Sequence, residues 1–256
     1  MHLKSVQQMG ALMLHFRNGW TLVQAMRSGQ LCHEVVLWDG TRISHPAGRA
    51  GLLEAVIELW VERTYTEGFY RSADGDVIVD AGANVGLFSV WMARRNRKCR
   101  VIALEPFAEN FACLKANVAR ACPRNVTCCE TALGGEFGRG RMRSVGKRSL
   151  DHLLQTSSNG GEIDVVPLAA LFDLAHANQI DFLKVDIEGS ENRVFAAAPP
   201  EVISRFKRIA MEYHDQIAPG TLDLLRRVLA PSHDLTVRPG SFEGCGILLA
   251  RRRDVA

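Results

Sequence analysis

The chain has 256 residues, 47% hydrophobic and 23% charged, enough for one large α/β domain or two small ones with a full core. A formal charge of +3 is too small to make nucleic acid a main partner. No apolar run reaches membrane-spanning length, and the cysteines are seven, with no Cys-x-x-Cys pair. A cytoplasmic protein with reduced thiols is expected, with no membrane partner.

From Leu3 to Met26, apolar residues recur at helical spacing: Leu3, Val6, Met9, Met13, Phe16, Trp20, Val23 and Met26. Gly10 and Asn18-Gly19 are expected to break the run into two short helices. These read as a cap over the core, a lid or homodimer surface being the other reading. No signal peptide is expected, because Gln7, Gln8, His15 and Arg17 interrupt the apolar run. Two apolar runs flank Asp39-Gly40, which predicts a hairpin over 34–44. Leu52 to Tyr65 reads as a helix with a stripe of Leu53, Val56, Ile57, Trp60 and Val61. Residues 1–70 are therefore expected to form a helical and hairpin cap, and 71–256 the cofactor-binding domain.

Val77-Ile78-Val79-Asp80 is a strand ending at an acid, followed by the turn Ala81-Gly82-Ala83-Asn84-Val85-Gly86 and a helix to Arg95. Gly82 and Gly86 are read as letting the backbone pass close to a ligand. Arg100 to Leu104 is a second strand ending at an acid, Glu105-Pro106, where a ribose diol is held in folds of this kind. A helix over 107–121 and a strand over 125–129 continue the alternation, which predicts a mostly parallel sheet covered on both faces.

Residues 134–161 break the pattern. Arg139, Arg141 and Arg143 share one face of a strand, and Lys147 and Arg148 follow. A solvated face and a basic wall for an acidic or phosphorylated substrate are both open readings. Ser157 to Gly161 reads as a mobile loop by composition. A strand at 163–166 and a helix over 167–177 come next. The strand from Ile180 carries charge at Lys184, Asp186 and Glu188, which share a face if it stays regular. A short helix at 191–198, a strand over 206–213, a helix at 222–229 and an antiparallel pair near 233–237 and 245–249 complete the chain. Arg251-Arg252-Arg253 reads as a solvated tail.

Charge selects the cofactor. A dinucleotide enzyme wants Gly-x-Gly-x-x-Gly against a pyrophosphate, but here Asn84 replaces the middle Gly and Asp80 opens the turn. A carboxylate repels a diphosphate and attracts the ammonium and sulfonium of S-adenosylmethionine. On this reading Asp80 serves the amino group, Glu105 the ribose hydroxyls, and Glu130, Thr131 and Ala132 lie by the adenine.

The sequence resembles the FkbM family of S-adenosylmethionine-dependent methyltransferases. The resemblance rests on Glu58-Leu59-Trp60 with Tyr65, on Val79 to Ser89, and on Ala103-Leu104-Glu105-Pro106. It continues through Ala132-Leu133-Gly134, Ile180 to Glu191 and Met211-Glu212-Tyr213-His214. It implies a Rossmann-like class I methyltransferase fold, with a seven-stranded, mostly parallel sheet and an antiparallel last strand. Family members mostly methylate hydroxyl oxygens on sugars and natural products, so a small-molecule acceptor is expected. The Arg- and Gly-rich stretch before Val165 departs from the family pattern and keeps the acceptor from being carried over.

A hydroxyl acceptor needs a proton acceptor on the line of attack. The candidates are Asp186 and Glu188, with Glu212 and His214 from the next strand end and Lys184 pairing with the acids. A divalent metal held by Asp186, Glu188, Glu212 and His214 is conceivable, but no metal-specific spacing demands it. A non-catalytic cofactor-binding module and a nicotinamide oxidoreductase are the rival readings.

Overall fold

The computed structural model describes residues 3–47, 49–122, 124–144, 152–157, 162–240 and 243–253, with backbone alone at 3–4, 142–144 and 152–157. The chain opens with helices α1 (Leu3–His15) and α2 (Gly19–Ser28) and the hairpin β1 (Glu34–Val36) and β2 (Arg42–Ser44). Gly10 does not break α1; the break falls at Asn18-Gly19 alone. There the Asn18 side chain bonds β1, accepting from Val36 N at 2.9 Å and donating to Glu34 O at 3.2 Å. The expected apolar stripe is partly out of phase. Leu12, Phe16, Leu22 and Val23 are buried, while Val6, Met13 and Trp20 face outward.

The expected helix over 52–65 is two pieces. An α-helix α3 (Leu52–Val56) runs into a π-helical turn (Ile57–Glu62), which Arg63 ends at φ 53°. Wider turns of this type are frequent at functional sites, and this one carries Glu58.

The alternation then follows: β3 (Val77–Ala81), α4 (Leu87–Arg95), β4 (Arg100–Leu104), α5 (Ala108–Ala121), β5 (Val126–Cys129). A short β6 (Thr131–Leu133), β7 (Gly138–Ser144), β8 (His152–Ser157) and β9 (Ile163–Val166) form a separate four-stranded sheet, ordered β6-β9-β7-β8. Arg139 and Arg141 share the exposed face of β7, and Arg139 pairs with Asp164 at 2.5 Å. The Arg143 side chain, Lys147, Arg148 and residues 158–161 lie outside the described residues.

The chain returns to the main sheet through α6 (Ala170–Leu174), β10 (Phe182–Val185), α7 (Glu191–Ala196), α8 (Pro200–Ile203) and β11 (Arg208–His214). It closes with α9 (Thr221–Leu229), β12 (His233–Pro239) and β13 (Cys245–Arg252). The seven strands are ordered β12-β13-β11-β10-β3-β4-β5, and β13 alone runs against the rest. Arg251 to Arg253 are not a tail. Arg251 and Arg252 end β13, Arg252 donates to Ser204 O, and Arg253 donates to Ala230 O.

Alternate residues of the central strands feed two cores, one on each face, as parallel strands covered by helices require. Ile78 and Phe182 join Phe88, Leu114 and the N-terminal helices on one face. Val77, Val79, Leu183 and Val185 join Leu171, Phe195 and Leu225 on the other. The seven cysteines are free thiols. The carboxyl ends of β3, β4, β10 and β11 consequently meet at one sheet edge, where a doubly wound fold places its ligand.

Candidate active site

The turn after β3 is held by the protein's own packing. A Cβ at Gly82 (φ 78°) would lie 1.7 Å from the Asp186 carbonyl oxygen, and one at Gly86 (φ 87°) would strike the Leu114 side chain. Chain-to-chain approach therefore already requires both glycines, and Gly82 also lines the adjoining cleft. Asn84 takes φ 51°, a left-handed conformation that Asn tolerates better than most residues.

Asp80 is fully buried. It accepts from Ser89 Oγ at 2.7 Å and lies 3.3 Å from Lys184 Nζ. Burial pushes its carboxyl up, and Lys184 opposes that. Lys184 also donates to Gly82 O at 3.0 Å and sits 3.6 Å from Asp186 Oδ2. Burial works against its charge, but Asp80 and Asp186 outweigh burial and hold the ammonium above its usual range. On the next strand, Glu105 accepts from Asn84 N at 2.8 Å through Oε2 and from Phe107 N at 2.9 Å through Oε1. Burial raises it to about 7 against those two donors. Asp80 and Glu105 stand at the same sheet edge on adjacent strands, Ala81 being paired with Leu104.

A cleft, open to solvent, runs between this turn and the ends of β10 and β11. Gly82 to Val85 line one side, and Lys184, Asp186, Glu188 and Glu212 the other, with Glu58 and His45 from the N-terminal region. Strand β10 ends at Val185, short of the expected Gly189, because Glu188 (φ 51°) and Gly189 (φ 90°) turn the chain away. Lys184, Asp186 and Glu188 nevertheless all face the cleft.

These acids meet few donors. Tyr65, fully buried, donates toward Asp186 Oδ2 at 3.3 Å and Glu212 Oε2 at 3.4 Å. Burial and then Asp186 hold its phenol well above the usual range. Burial, with Asp186 next in importance, raises Glu58 to about 7, Glu188 to about 9 and Glu212 to about 8. His214 lies 3.1 Å from Glu191 through Nδ1, and 3.6 Å from Glu188 and 3.9 Å from Glu212 through Nε2. Burial lowers it, but Glu191, Asp186 and Glu188 together raise it to about 10. Asp186, Glu188, Glu212 and His214 are thus brought together as expected.

Of the residues expected at the cofactor, Gly82, Asn84 and Asp186 line the cleft, whereas Asp80, Gly86, Glu105, Pro106, Glu130, Thr131 and Ala132 are not among its lining residues. Glu130 is exposed, Ala132 is buried in β6, and Thr131 donates to Asp164 O at 2.8 Å, tying β6 to β9. Pro106 follows Glu105 at the end of β4. Glu58, Tyr65 and Glu191 entered the sequence reading only as parts of motifs, with no role given to any of them. The one signal for the three was their place in those blocks.

The residues present fit a cationic nucleoside donor. The cleft is rich in carboxylates, and each Glu105 oxygen, having accepted one N–H, keeps a lone pair for a ribose hydroxyl. The strand order, the reversed β13 and the acid-ended turns define a Rossmann-like methyltransferase. One solved structure, described as an rRNA methylase from Clostridium thermocellum, superposes with a TM-score of 0.52 at 10% identity, over 78% of this chain and 97% of that one. That likeness supports the fold alone.

The methyltransferase FkbM domain model matches residues 80–234, more than half of the chain, and the chain belongs to that family. It is 28% identical over 211 residues to 31-O-demethyl-FK506 methyltransferase FkbM of Streptomyces tacrolimicus, covering 69% of this chain and 80% of the relative. It is 23% identical over 208 residues to Methyltransferase 1 of Beauveria bassiana, covering 72% and 83%. The protein is an S-adenosylmethionine-dependent methyltransferase, which sets aside the oxidoreductase reading. No helix among the described residues is long and apolar enough to cross a membrane.

Proposed function

We propose that the chain methylates a hydroxyl oxygen of a small molecule, a sugar or another natural product. The observation that carries this is the convergence of Asp186 and Glu212 on the Tyr65 hydroxyl, with Glu58 and Glu188 beside them in the cleft lining. A neutral hydroxyl is a poor nucleophile and must lose its proton as it attacks, so a cluster of nearby carboxylates is the feature such a reaction requires. The relative named for 31-O-demethyl-FK506 supports an oxygen acceptor of natural-product type.

The donor supplies an electrophilic methyl group; the rest is alignment and proton transfer by the chain. Asp186 receives the proton, since it stands at the end of β10 between Lys184 and Tyr65. Lys184 and Tyr65 fix its side chain. Glu58, reaching in from the π-helical turn, binds a polar group of the acceptor.

The test is a panel of hydroxylated natural products and sugars assayed with methyl-labelled donor. One class should accept label on oxygen. Asp186→Asn should lower kcat by about 10²-fold or more while binding S-adenosylhomocysteine as the parent does. Full turnover in that variant would remove the base assignment, and label found only on nitrogen or carbon would remove the oxygen acceptor.

A further inference from the structure

We infer that Asp186, Glu188 and His214, with Glu212 beside them, form a binding site for one divalent cation at the β10–β11 end of the cleft. One potential ligand atom from each of the first three lies within 4.8 Å of the others. Donors about 2.0–2.5 Å from a single ion lie about 4–5 Å apart when they face each other across it. The open distances have the same meaning. His214 Nε2 stands 3.6 Å from Glu188 Oε2 and 3.9 Å from Glu212 Oε1, too far for a hydrogen bond and near enough for a shared ion.

The second observation lies behind the donors. Glu191 is fully buried, and its Oε1 lies 3.1 Å from His214 Nδ1. With the Nδ1 proton given to that carboxylate, Nε2 is turned toward Glu188 and Glu212, the arrangement by which carboxylates orient metal-binding imidazoles. The same oxygen accepts from Ile187 N at 3.3 Å and Gly189 N at 3.2 Å, so one buried carboxylate places both the imidazole and the turn that carries Glu188. Two buried oxygens in this group, Asp186 Oδ1 and Glu191 Oε2, meet no hydrogen-bond donor.

The donor set also selects the ion. Three carboxylates are hard ligands and the imidazole is a borderline one, a set that suits Mn²⁺ and, less tightly, Mg²⁺. Of this set the nearby ammonium pairs with Asp186 alone, at 3.6 Å, and Lys184 is otherwise held by Asp80 and Gly82 O. The role of the ion rests on the proposed hydroxyl methylation: it would polarise the acceptor oxygen that loses its proton. The site itself does not depend on that reading.

The full chain, stripped with a chelator, is titrated with Mn²⁺ and followed by electron paramagnetic resonance, with no acceptor and no donor present. One Mn²⁺ per chain is expected, displaced by Mg²⁺, with affinity at least tenfold weaker in His214→Ala and in Glu188→Gln. Glu191→Gln should weaken it about 10-fold or more by releasing the imidazole. S-adenosylhomocysteine binding confirms that each variant is folded, and if one is not, the others decide. No saturable Mn²⁺ in the parent chain, or unchanged affinity in the folded variants, overturns the site. A chain that binds Mn²⁺ but methylates no hydroxyl keeps the site and loses the proposed function. Full hydroxyl methylation in chelator with no Mn²⁺ binding does the reverse.

Discussion

At the ends of β3 and β4, the chain answers its own acids. Ser89 and Lys184 meet Asp80, and two backbone N–H groups meet Glu105. At the ends of β10 and β11, Glu188 and Glu212 face mainly other acids and His214. Burial alone does not explain the contrast. Glu105 is 5% exposed and rises only to about 7, whereas the Glu188 and Glu212 side chains, 27% and 26% exposed, reach about 9 and 8. The added push comes from Asp186. One half of the sheet edge has its acids answered from within the chain, and the other is left wanting a proton or a cation. Stability withheld at a working site is a common trade.

Removing a partner from the answered half should produce the largest effect. Lys184→Met leaves Asp80 buried without its cation and frees the Gly82 carbonyl. Breaking a buried pair from one side costs about 3–5 kcal/mol, which urea unfolding would read. A loss below about 1 kcal/mol would show that Asp80 is not held as a buried ion and would erase the contrast.

The second test titrates the same half. Glu105 has its pKa raised in the folded chain to about 7 from 4.5, so above pH 4.5 the unfolded chain releases this proton first. Its contribution to stability is therefore greatest below pH 4.5 and falls as the pH rises to about 7, by about 3 kcal/mol across that window. Glu105→Gln should flatten this part of the pH profile. It should also lose about 1–3 kcal/mol at low pH, since one amide end turns a donor toward a backbone N–H. An unchanged profile in the variant would assign the slope to other groups.

Most of the β3–β4 half was legible from sequence, because it is local. A β-branched run, an acid and a Gly-containing turn lie within ten residues from Val77 to Gly86, and period and turn chemistry suffice to place them. The partners of Asp80 and the obstacle at Gly82 were not legible, since Lys184 and Asp186 are about a hundred residues away. Glu58 and Tyr65 were hidden by the π-helical turn, which an expectation of even 3.6-residue spacing does not anticipate. Glu191 stood in the Ile180 to Glu191 block, but its contact with His214, 23 residues on, is made by the fold and not by local spacing. In the N-terminal helices the period was readable and the buried side only in part: Phe16 and Val23 pack inward as expected, whereas Leu12 takes a core place and Met13 and Trp20 are left outside.

The smallest expected effect has the opposite sign and tests the contrast most sharply. Glu212 sits against Asp186 and Glu58, and its folded pKa of about 8 lies above its ordinary 4.5. At pH 5 the carboxyl is protonated in the folded chain and only partly ionised in the unfolded one, so Glu212→Gln should change stability little. As the pH rises toward 8 the unfolded parent gains by releasing the proton, whereas the glutamine variant has none to release. In chelator at pH 8 the variant should therefore be more stable than the parent. Because the side chain is about a quarter exposed and solvent screens part of the repulsion, a gain of about 1 kcal/mol is expected. Urea midpoints at the two pH values read the difference directly. Added Mn²⁺ should then narrow or reverse the gain, since the parent binds the ion through one more carboxylate. A variant less stable than the parent at pH 8 in chelator would mean that Glu212 is satisfied in place, and the two halves of the sheet edge would no longer differ in kind.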